Sequence, residues 1–263
     1  MQPAFDQLDD AADFYRREVD ALGERGWRQP SLCAGWDAAQ VVVHVTIGDR
    51  RVRALALDAM GTDRTLLAEL PSTPEERMQR DAAMAAWEPG RLRDAALTES
   101  AQMREAAREL HRKMPNAVLH LPFGESPLPT VLRIRTTEYV IHGHDLEPAS
   151  GKSQPLPAWF IDASLPWAAL NMTRPHARSS PHRGKSASFH LHRTDGEGEW
   201  VLRAEAGEAR SSEGHDRADV AFRGPGEGLY WVLMGRAEPA ECGVEVHGDP
   251  ALAAAFKEWF PGP

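Results

Sequence analysis

Glu138 and His142 stand four residues apart, and their side chains together could bind a metal ion. In an α-helix, positions i and i+4 lie on the same face, so the carboxylate and the imidazole would point in the same direction. His44, far away in the sequence, could complete a set of three ligands. Two histidines and one carboxylate leave a coordination position open, which is typical of a catalytic rather than a structural metal site.

Both segments that carry these residues are predicted to be helical. One broad face of the segment 132–146 carries the candidate ligands, at about 100° per residue. His144 falls roughly opposite His142 and is therefore expected to be solvated. His44 flanks an apolar stripe of its own helix and should face the interior. The residues predicted on the face of Glu138 and His142 are Val131, Ile134, Glu138, Ile141, His142 and Asp145.

A simpler interpretation stays open at this point. Glu138 and His142 could be a buried, hydrogen-bonded pair, and His44 an unrelated histidine of the core, since such constellations arise by chance. Burying a carboxylate beside imidazoles costs free energy unless a cation or hydrogen bonds compensate. That cost favours the metal site.

The first half of the chain is predicted to form four main antiparallel helices, which pack naturally as a bundle. Asp37 is a suitable N-cap, and Thr73 and Glu76 have the spacing of a capping box. The helix after Pro74 is expected to break at Pro89-Gly90, and a longer helix should follow. A proline-bearing loop should precede the last helix. The expected helix starts lie near Pro3, Asp37, Pro74 and Thr130, and the longer helix after Pro89-Gly90 is expected to run through Leu92 to Leu110.

The composition changes after Asp145, which predicts a second domain. Residues 147–157 are rich in Pro, Ser and Gly and are expected to be a linker. The segments that follow predict a small α+β unit. They are a helix at 159–170, a loop at 173–186, strands at 188–192, 199–203, 220–222 and 244–246, and helices at 226–234 and 250–260. We therefore expect a helical bundle over residues 1–150 and an α+β domain over 151–263.

Composition excludes several classes of protein. The chain has 263 residues, 42% of them hydrophobic and 26% charged, and a net charge of −9, which argues against nucleic acid or an anionic membrane as the main partner. No apolar run approaches the roughly 20 residues that span a bilayer, and no signal peptide is apparent. Two cysteines exclude a disulfide framework and fit a reducing cytoplasm. We expect a cytoplasmic protein, either a monomer or a weak homodimer.

Five segments carry a family resemblance that spans nearly the whole chain. The first two resemble the mycothiol-dependent maleylpyruvate isomerase family, whose N-terminal part is a DinB-like four-helix bundle. The other three resemble that family's C-terminal domain, which is similar to sterol carrier proteins. The segments are 33–44, 138–145, 220–224, 229–236 and 244–250.

The resemblance implies roles for particular residues. It places metal ligands at His44, Glu138 and His142, and an active-site arginine at Arg236. A guanidinium suits the capture of a carboxylate on the substrate or the thiol. Arg236 could instead be a surface cation at the C-terminus of a helix. Asp145 could orient a metal ligand or simply end its helix.

The remaining cysteines and histidines carry no functional assignment. Cys33 and Cys242 are interpreted as structural, because the sequence shows no basic partner near either. Four further histidines could form a second cluster, but two lie in a loop expected to be mobile and two line a strand face expected to be open to solvent. They are His176 and His182 in the loop, and His190 and His192 in the strand.

The function predicted from these features is metal-dependent thiol chemistry. A divalent metal, zinc by preference, would lower the pKa of a low-molecular-weight thiol, which would then attack an electrophilic small molecule. The outcome is cis–trans isomerisation if the adduct collapses, or S-transfer if it persists. The resemblance implies that the thiol is mycothiol, expected to bind between the two domains with an anionic arm at Arg236. The alternative is a non-catalytic metal-binding or ligand-binding protein.

Overall fold

A computed structural model gives the fold of residues 1–121, 124–172 and 180–261. The chain divides into two compact units, Met1–Pro157 and Ala158–Pro263. We refer to them as the helical unit and the C-terminal unit. Within the residues described, no helix is long and apolar enough to cross a membrane.

The helical unit is a bundle of four long helices with shorter helices between them. Each of α1 and α3 packs against both α6 and α7. The long helices are α1 (Gln2–Ala21), α3 (Ala38–Ala59), α6 (Pro89–Lys113) and α7 (Leu128–Asp145). The short ones are α2 (Gly23–Gly26), α4 (Thr65–Ala68), α5 (Pro74–Ala85) and α8 (Glu147–Ser150). The predicted helical bundle is confirmed.

Local signals in the sequence determine where these helices begin. Asp37 caps α3, because its side chain accepts a hydrogen bond from the backbone N–H of Gln40. In return, the side chain of Gln40 accepts a hydrogen bond from the backbone N–H of Asp37. Thr73 and Glu76 form the capping box expected at the start of α5. Pro89 occupies the first turn of α6, where its missing N–H costs nothing.

Large apolar side chains fill the centre of the bundle. The rings of Tyr15 on α1 and Tyr139 on α7 lie 5.5 Å apart and join these two helices. The buried residues there include Leu8, Phe14, Tyr15, Val41, Val45, Leu92, Met103, Leu110 and Tyr139. This packing fixes the inward faces of α3 and α7, which carry the candidate metal ligands.

Two expectations for this unit were wrong in detail. The segment before α7 is an antiparallel hairpin of β1 (Val118–Leu121) and β2 (Gly124–Pro127) rather than an irregular loop, and α7 begins at Leu128. Part of the expected linker is the short helix α8, which Gly151 ends in the left-handed conformation.

The C-terminal unit is built on a five-stranded sheet. The strand order is β5-β4-β3-β6-β7, and all neighbours are antiparallel except β3 and β6. The strands are β3 (Ser186–Arg193), β4 (Glu199–Glu205), β5 (Glu208–Glu213), β6 (Val220–Gly224) and β7 (Glu245–Gly248). The predicted α+β fold is therefore confirmed, although β5 was not predicted.

Short helices and an aromatic cluster accompany the sheet. The ring of Phe256 lies 5.1 Å from that of Phe189 and 5.2 Å from that of Phe222, so the end of the chain packs on the sheet. The helices are α9 (Phe160–Trp167), α10 (Gly226–Met234), α11 (Pro250–Ala254) and α12 (Phe256–Trp259), with a π-helical turn at Ala168–Met172 and a 3₁₀ turn at Pro239–Cys242. The last two short helices replace the single C-terminal helix that was expected.

Candidate metal centre

The structure brings His44, Glu138 and His142 together inside the helical unit. His44 lies on α3, and the other two lie one turn apart on α7. Nε2 of His44 is 3.0 Å from Oε2 of Glu138, and Nε2 of His142 is 3.5 Å from the same oxygen. The two imidazole rings are 4.8 Å apart. We call these three residues the metal triad.

The donor set and spacing of the triad fit a divalent ion such as Zn²⁺. Bonds of about 2.0–2.1 Å in tetrahedral geometry place neighbouring ligand atoms roughly 3.3 Å apart. The two N–O distances of 3.0 and 3.5 Å bracket that value. All three ligand atoms lie within 4.8 Å of one another, so small side-chain movements would complete the site.

Asp145 orients the ring of His142 through a hydrogen bond at Nδ1. Its side chain is fully buried, and Oδ2 accepts a 2.8 Å hydrogen bond from Nδ1 of His142. This bond fixes the ring so that Nε2 faces Glu138. Histidine ligands of metals are commonly held in this way.

Cys33 also reaches this region, which the sequence did not reveal. Its thiol donates a 3.0 Å hydrogen bond to Oδ2 of Asp145, and Sγ lies 3.9 Å from Nδ1 of His142. The backbone N–H of Leu32 bonds to the carbonyl of Asp145 and holds the segment in place. The expectation that Cys33 has no basic neighbour was therefore wrong, because a partner 109 residues away supplies one.

Glu138 and His142 each stabilise the charge of the other. Burial opposes the charge on Glu138, but hydrogen bonds from His142 and His44 hold its pKa well below the usual range. Burial likewise opposes the charge on His142, yet its contacts with Asp145, Cys33 and Glu138 raise its pKa well above the usual range. Glu138 is therefore anionic, the form in which a carboxylate binds a metal, whereas the raised pKa of His142 favours its protonated form, so a metal would have to displace that proton.

A buried ion pair lies beside the triad. Arg135 contacts Asp49 at 2.9 Å, and its other terminal nitrogen is 3.7 Å from Oε2 of Glu138. The hydroxyl of Tyr139 donates to Asp49 at 2.9 Å. Burial raises the pKa of Asp49 to about 6, against the opposing effects of Arg135 and Tyr139. Gly48 leaves the space for the guanidinium, since a Cβ there would collide with it.

A cavity of about 250 Å³ opens beside the triad. His44 and Glu138 contribute to its wall, so the triad is accessible rather than sealed. Arg51 and Arg77 line the same cavity. Burial, followed by the charges of Arg77 and Arg80, lowers the pKa of Arg51, and the charge of Asp81 opposes this shift.

Comparison with known proteins identifies the family of this chain. The family model for the mycothiol maleylpyruvate isomerase N-terminal domain matches residues 8–147, more than half of the chain. The chain belongs to this family. No curated protein matches it in sequence.

Two solved structures share the fold of this family member along most of its length. The crystal structure of the mycothiol-dependent maleylpyruvate isomerase is 20% identical, with a TM-score of 0.70, and the alignment covers 93% of this chain and 92% of that one. A histidine-to-alanine variant of that isomerase gives 19% identity with the same TM-score and coverage. At these identities the likeness establishes the fold.

Arg236 lies in the C-terminal unit of this family member, directly after α10. Gly235 ends that helix in the left-handed conformation, and Nη1 of Arg236 donates a 2.9 Å hydrogen bond to the carbonyl of Met234. This contact fits the interpretation of Arg236 as a cation at a helix C-terminus. The residue also lines a cavity of about 360 Å³ together with Lys257. Burial and the nearby Arg236 lower the pKa of Lys257 to about 8.

The other candidate residues have different surroundings from those expected. His144 contacts Glu147 at 3.2 Å and is not part of the triad. His182 lies in a turn, as the predicted loop implied, and is partly buried with its ring stacked on that of Trp259 at 4.7 Å. His190 is buried, so the expectation of a solvated strand face was wrong.

The two remaining candidate residues are Cys242 and His176. Cys242 lies within 3.5 Å of the carbonyl of Gly228, and burial raises its pKa, which fits a structural thiol. His176 lies outside the residues that the structure describes.

Proposed function

We propose that this protein is an enzyme that uses a divalent metal, zinc by preference, to activate mycothiol for addition to an electrophilic small molecule. The observation that carries the proposal is the convergence of His44, Glu138 and His142 beside an open cavity. Family membership and the fold shared with the mycothiol-dependent maleylpyruvate isomerase support the choice of thiol.

The triad would offer an ion two imidazole nitrogens and one carboxylate oxygen, with loss of the extra proton from His142. When bound there, Zn²⁺ would act as a Lewis acid that lowers the pKa of a thiol. Asp145 would keep Nε2 of His142 directed at the ion, and the contact with Arg135 would hold Glu138 in its ionised form.

The accessibility of the triad favours an enzyme over a non-catalytic metal-binding protein. The side chains of His44 and Glu138 are 29% and 24% exposed, so a ligand could approach from the cavity. A structural zinc site is normally closed by four protein ligands. A triad that faces a cavity therefore supports a catalytic role.

The charge of the cavity favours an anionic electrophile. Arg51 and Arg77 form a cationic wall beside the triad, and a guanidinium binds a carboxylate through paired hydrogen bonds. We propose that the substrate carries a carboxylate close to its electrophilic carbon. Release of the adduct would make the protein a thiol S-transferase, and its collapse after bond rotation would make it a cis–trans isomerase.

We further propose that Arg236 binds an anionic or polar arm of the thiol. Lys257, in the same cavity, adds a second cationic group. Charge-assisted hydrogen bonds of this type are stronger than neutral ones, which makes a carboxylate a fitting partner.

Replacing the metal with Co²⁺ provides a direct test. Addition of mycothiol to the Co²⁺ protein should produce a sulfur-to-cobalt charge-transfer band. His44→Ala should abolish the cobalt bound at the triad and with it the charge-transfer band, whereas the control His144→Ala should retain both. An unchanged spectrum in the wild-type protein would contradict thiol activation at the triad. Maleylpyruvate with mycothiol is the first substrate pair to assay for turnover.

A further inference from the structure

Three histidines converge on one carboxylate in the C-terminal unit. These residues are distant in the sequence from the triad. Nε2 of His190 lies 2.9 Å from Oε2 of Glu199, and Nδ1 of His215 lies 2.8 Å from the same oxygen. Nδ1 of His192 lies 3.0 Å from Oε1. We call these four residues the sheet cluster.

The register of the sheet builds this cluster from three neighbouring strands. His190 and His192 are two residues apart on β3 and therefore share one face. Glu199 begins β4 directly opposite His192. His215 follows the end of β5, where the N–H of Gly214 bonds to the carbonyl of Glu199 at 2.9 Å. The strand register and this backbone hydrogen bond thus bring all four side chains together.

We propose that the sheet cluster is a second divalent metal site, suited to Zn²⁺ or a similar transition-metal ion. His190, His192 and Glu199 provide three ligand atoms that lie within 4.8 Å of one another. His215 is the fourth ligand, since it already contacts the same carboxylate. Imidazole and carboxylate donors in tetrahedral arrangement are typical of zinc.

The spacing of the sheet cluster is close to that around a bound ion. Its three N–O distances lie between 2.8 and 3.0 Å. Insertion of an ion would lengthen the N–O distances to about 3.3 Å, a change that rotation of Glu199 could supply.

The exposure of the histidines also provides a route for the ion. The side chain of His190 is 6% exposed and that of His215 is 76% exposed. A metal could therefore enter from the side of His215, which would then close over it. A bound ion would join β3, β4 and the segment after β5, so its expected effect is to stabilise the C-terminal unit.

The test uses the full-length chain with the triad disabled. The double variant His44→Ala/His142→Ala should still bind about one Zn²⁺ per chain, measured by calorimetry and elemental analysis after dialysis. In that background, His192→Ala and Glu199→Gln should each weaken zinc binding at least tenfold. His247→Ala is the matched control, because its Nε2 contacts the carboxylate of Glu245 at 3.3 Å and, among the described residues, belongs to no cluster of potential metal ligands.

Each outcome decides the proposal. Saturable zinc binding that is lost in His192→Ala and Glu199→Gln, but kept in His247→Ala, would establish the site. Absence of zinc from the triad-disabled chain, or equal binding in all variants, would overturn it and show a hydrogen-bonded cluster only. Circular dichroism of each variant separates loss of binding from loss of folding. Failure of the thiol proposal would leave this measurement unaffected, because the triad is absent from every protein compared.

Discussion

Asp145 and His142 are joined by a hydrogen bond of 2.8 Å within the last turn of α7. Asp145 has no solvent exposure, so its carboxylate is fixed by its partners rather than by water. The bond holds the proton of His142 on Nδ1 and directs Nε2 toward Glu138. Asp145, at the end of α7, thereby determines which nitrogen of His142 faces Glu138.

Asp145→Asn should weaken metal binding by about 10–100-fold, because the amide no longer favours the required tautomer of His142. Affinity would be measured by competition with a fluorescent chelator. Cys33→Ala, which removes the other side-chain donor to Asp145 at 3.0 Å, is the control and should have a smaller effect. Unchanged affinity in Asp145→Asn would mean that Asp145 only ends its helix.

Glu138→Gln should remove the metal from the triad while preserving the fold. The substitution keeps the shape of the side chain but removes the anionic oxygen that offsets the charge of the cation. Thermal melting in excess chelator should therefore give nearly the same midpoint as for the wild-type protein. A large loss under those conditions would identify Glu138 as a structural residue.

Asp49→Ala should lower the free energy of unfolding by about 3–5 kcal/mol, since it leaves the buried guanidinium of Arg135 without its partner. Tyr139→Phe removes one hydrogen bond to Asp49 and should cost about 1–3 kcal/mol. Arg50→Ala breaks an exposed pair with Glu69 and should cost less than about 1 kcal/mol. Urea unfolding would measure the free energy of unfolding of all three variants. Equal losses would contradict the expectation that the buried contacts contribute more than the exposed pair.

Glu18 should make stability depend on pH. Its side chain is fully buried without a hydrogen-bond partner among the described residues, and burial raises its pKa from 4.5 to about 7. The folded chain therefore holds this proton more tightly than the unfolded chain. The contribution of Glu18 to stability is most favourable below pH 4.5 and declines as the pH rises to about 7.

Glu18→Gln should consequently flatten the fall in unfolding free energy between pH 5 and 8, because the amide cannot ionise. Glu24→Gln, at an exposed position of α2, is the matched control and should follow the wild-type profile. Parallel profiles for wild type and Glu18→Gln would show that Glu18 is ionised at low pH in the folded chain as well.

Arg236→Ala should weaken mycothiol binding at least tenfold, because a charge-assisted contact typically contributes roughly 1.5–3 kcal/mol. Metal content should not change, since a guanidinium is not a ligand. Calorimetry with mycothiol would measure the difference. Arg223→Ala, which breaks an exposed pair with Glu245, is the control. Equal affinity in the two variants would limit Arg236 to its contact with the end of α10.

The parts of the fold that the sequence predicted depend on local signals. Asp37 and Thr73 start helices through contacts three residues away, so their spacing is visible in the sequence. The i, i+4 relation of Glu138 and His142 is equally local. His44 could be placed on an inward face because its neighbours form an apolar stripe.

The parts that escaped prediction depend on contacts between distant segments. Cys33 meets Asp145 across 112 positions, and Arg135 meets Asp49 across 86. No spacing rule connects such residues. The strand β5 was missed because its side chains are mostly polar and exposed, as an edge strand allows, so no apolar alternation marks it.

The buried ion pair beside the triad has a consequence for the choice of metal. Asp49 and Arg135 neutralise each other, and Glu138 and Asp145 are acidic groups in contact with His142, whose raised pKa favours its protonated form. We expect a dication at the triad to displace the extra proton of His142 and bring these groups to electroneutrality, whereas a monovalent ion would leave an excess negative charge in a region of low dielectric constant. The buried charges would thus favour a divalent ion before the size or geometry of any ion is considered.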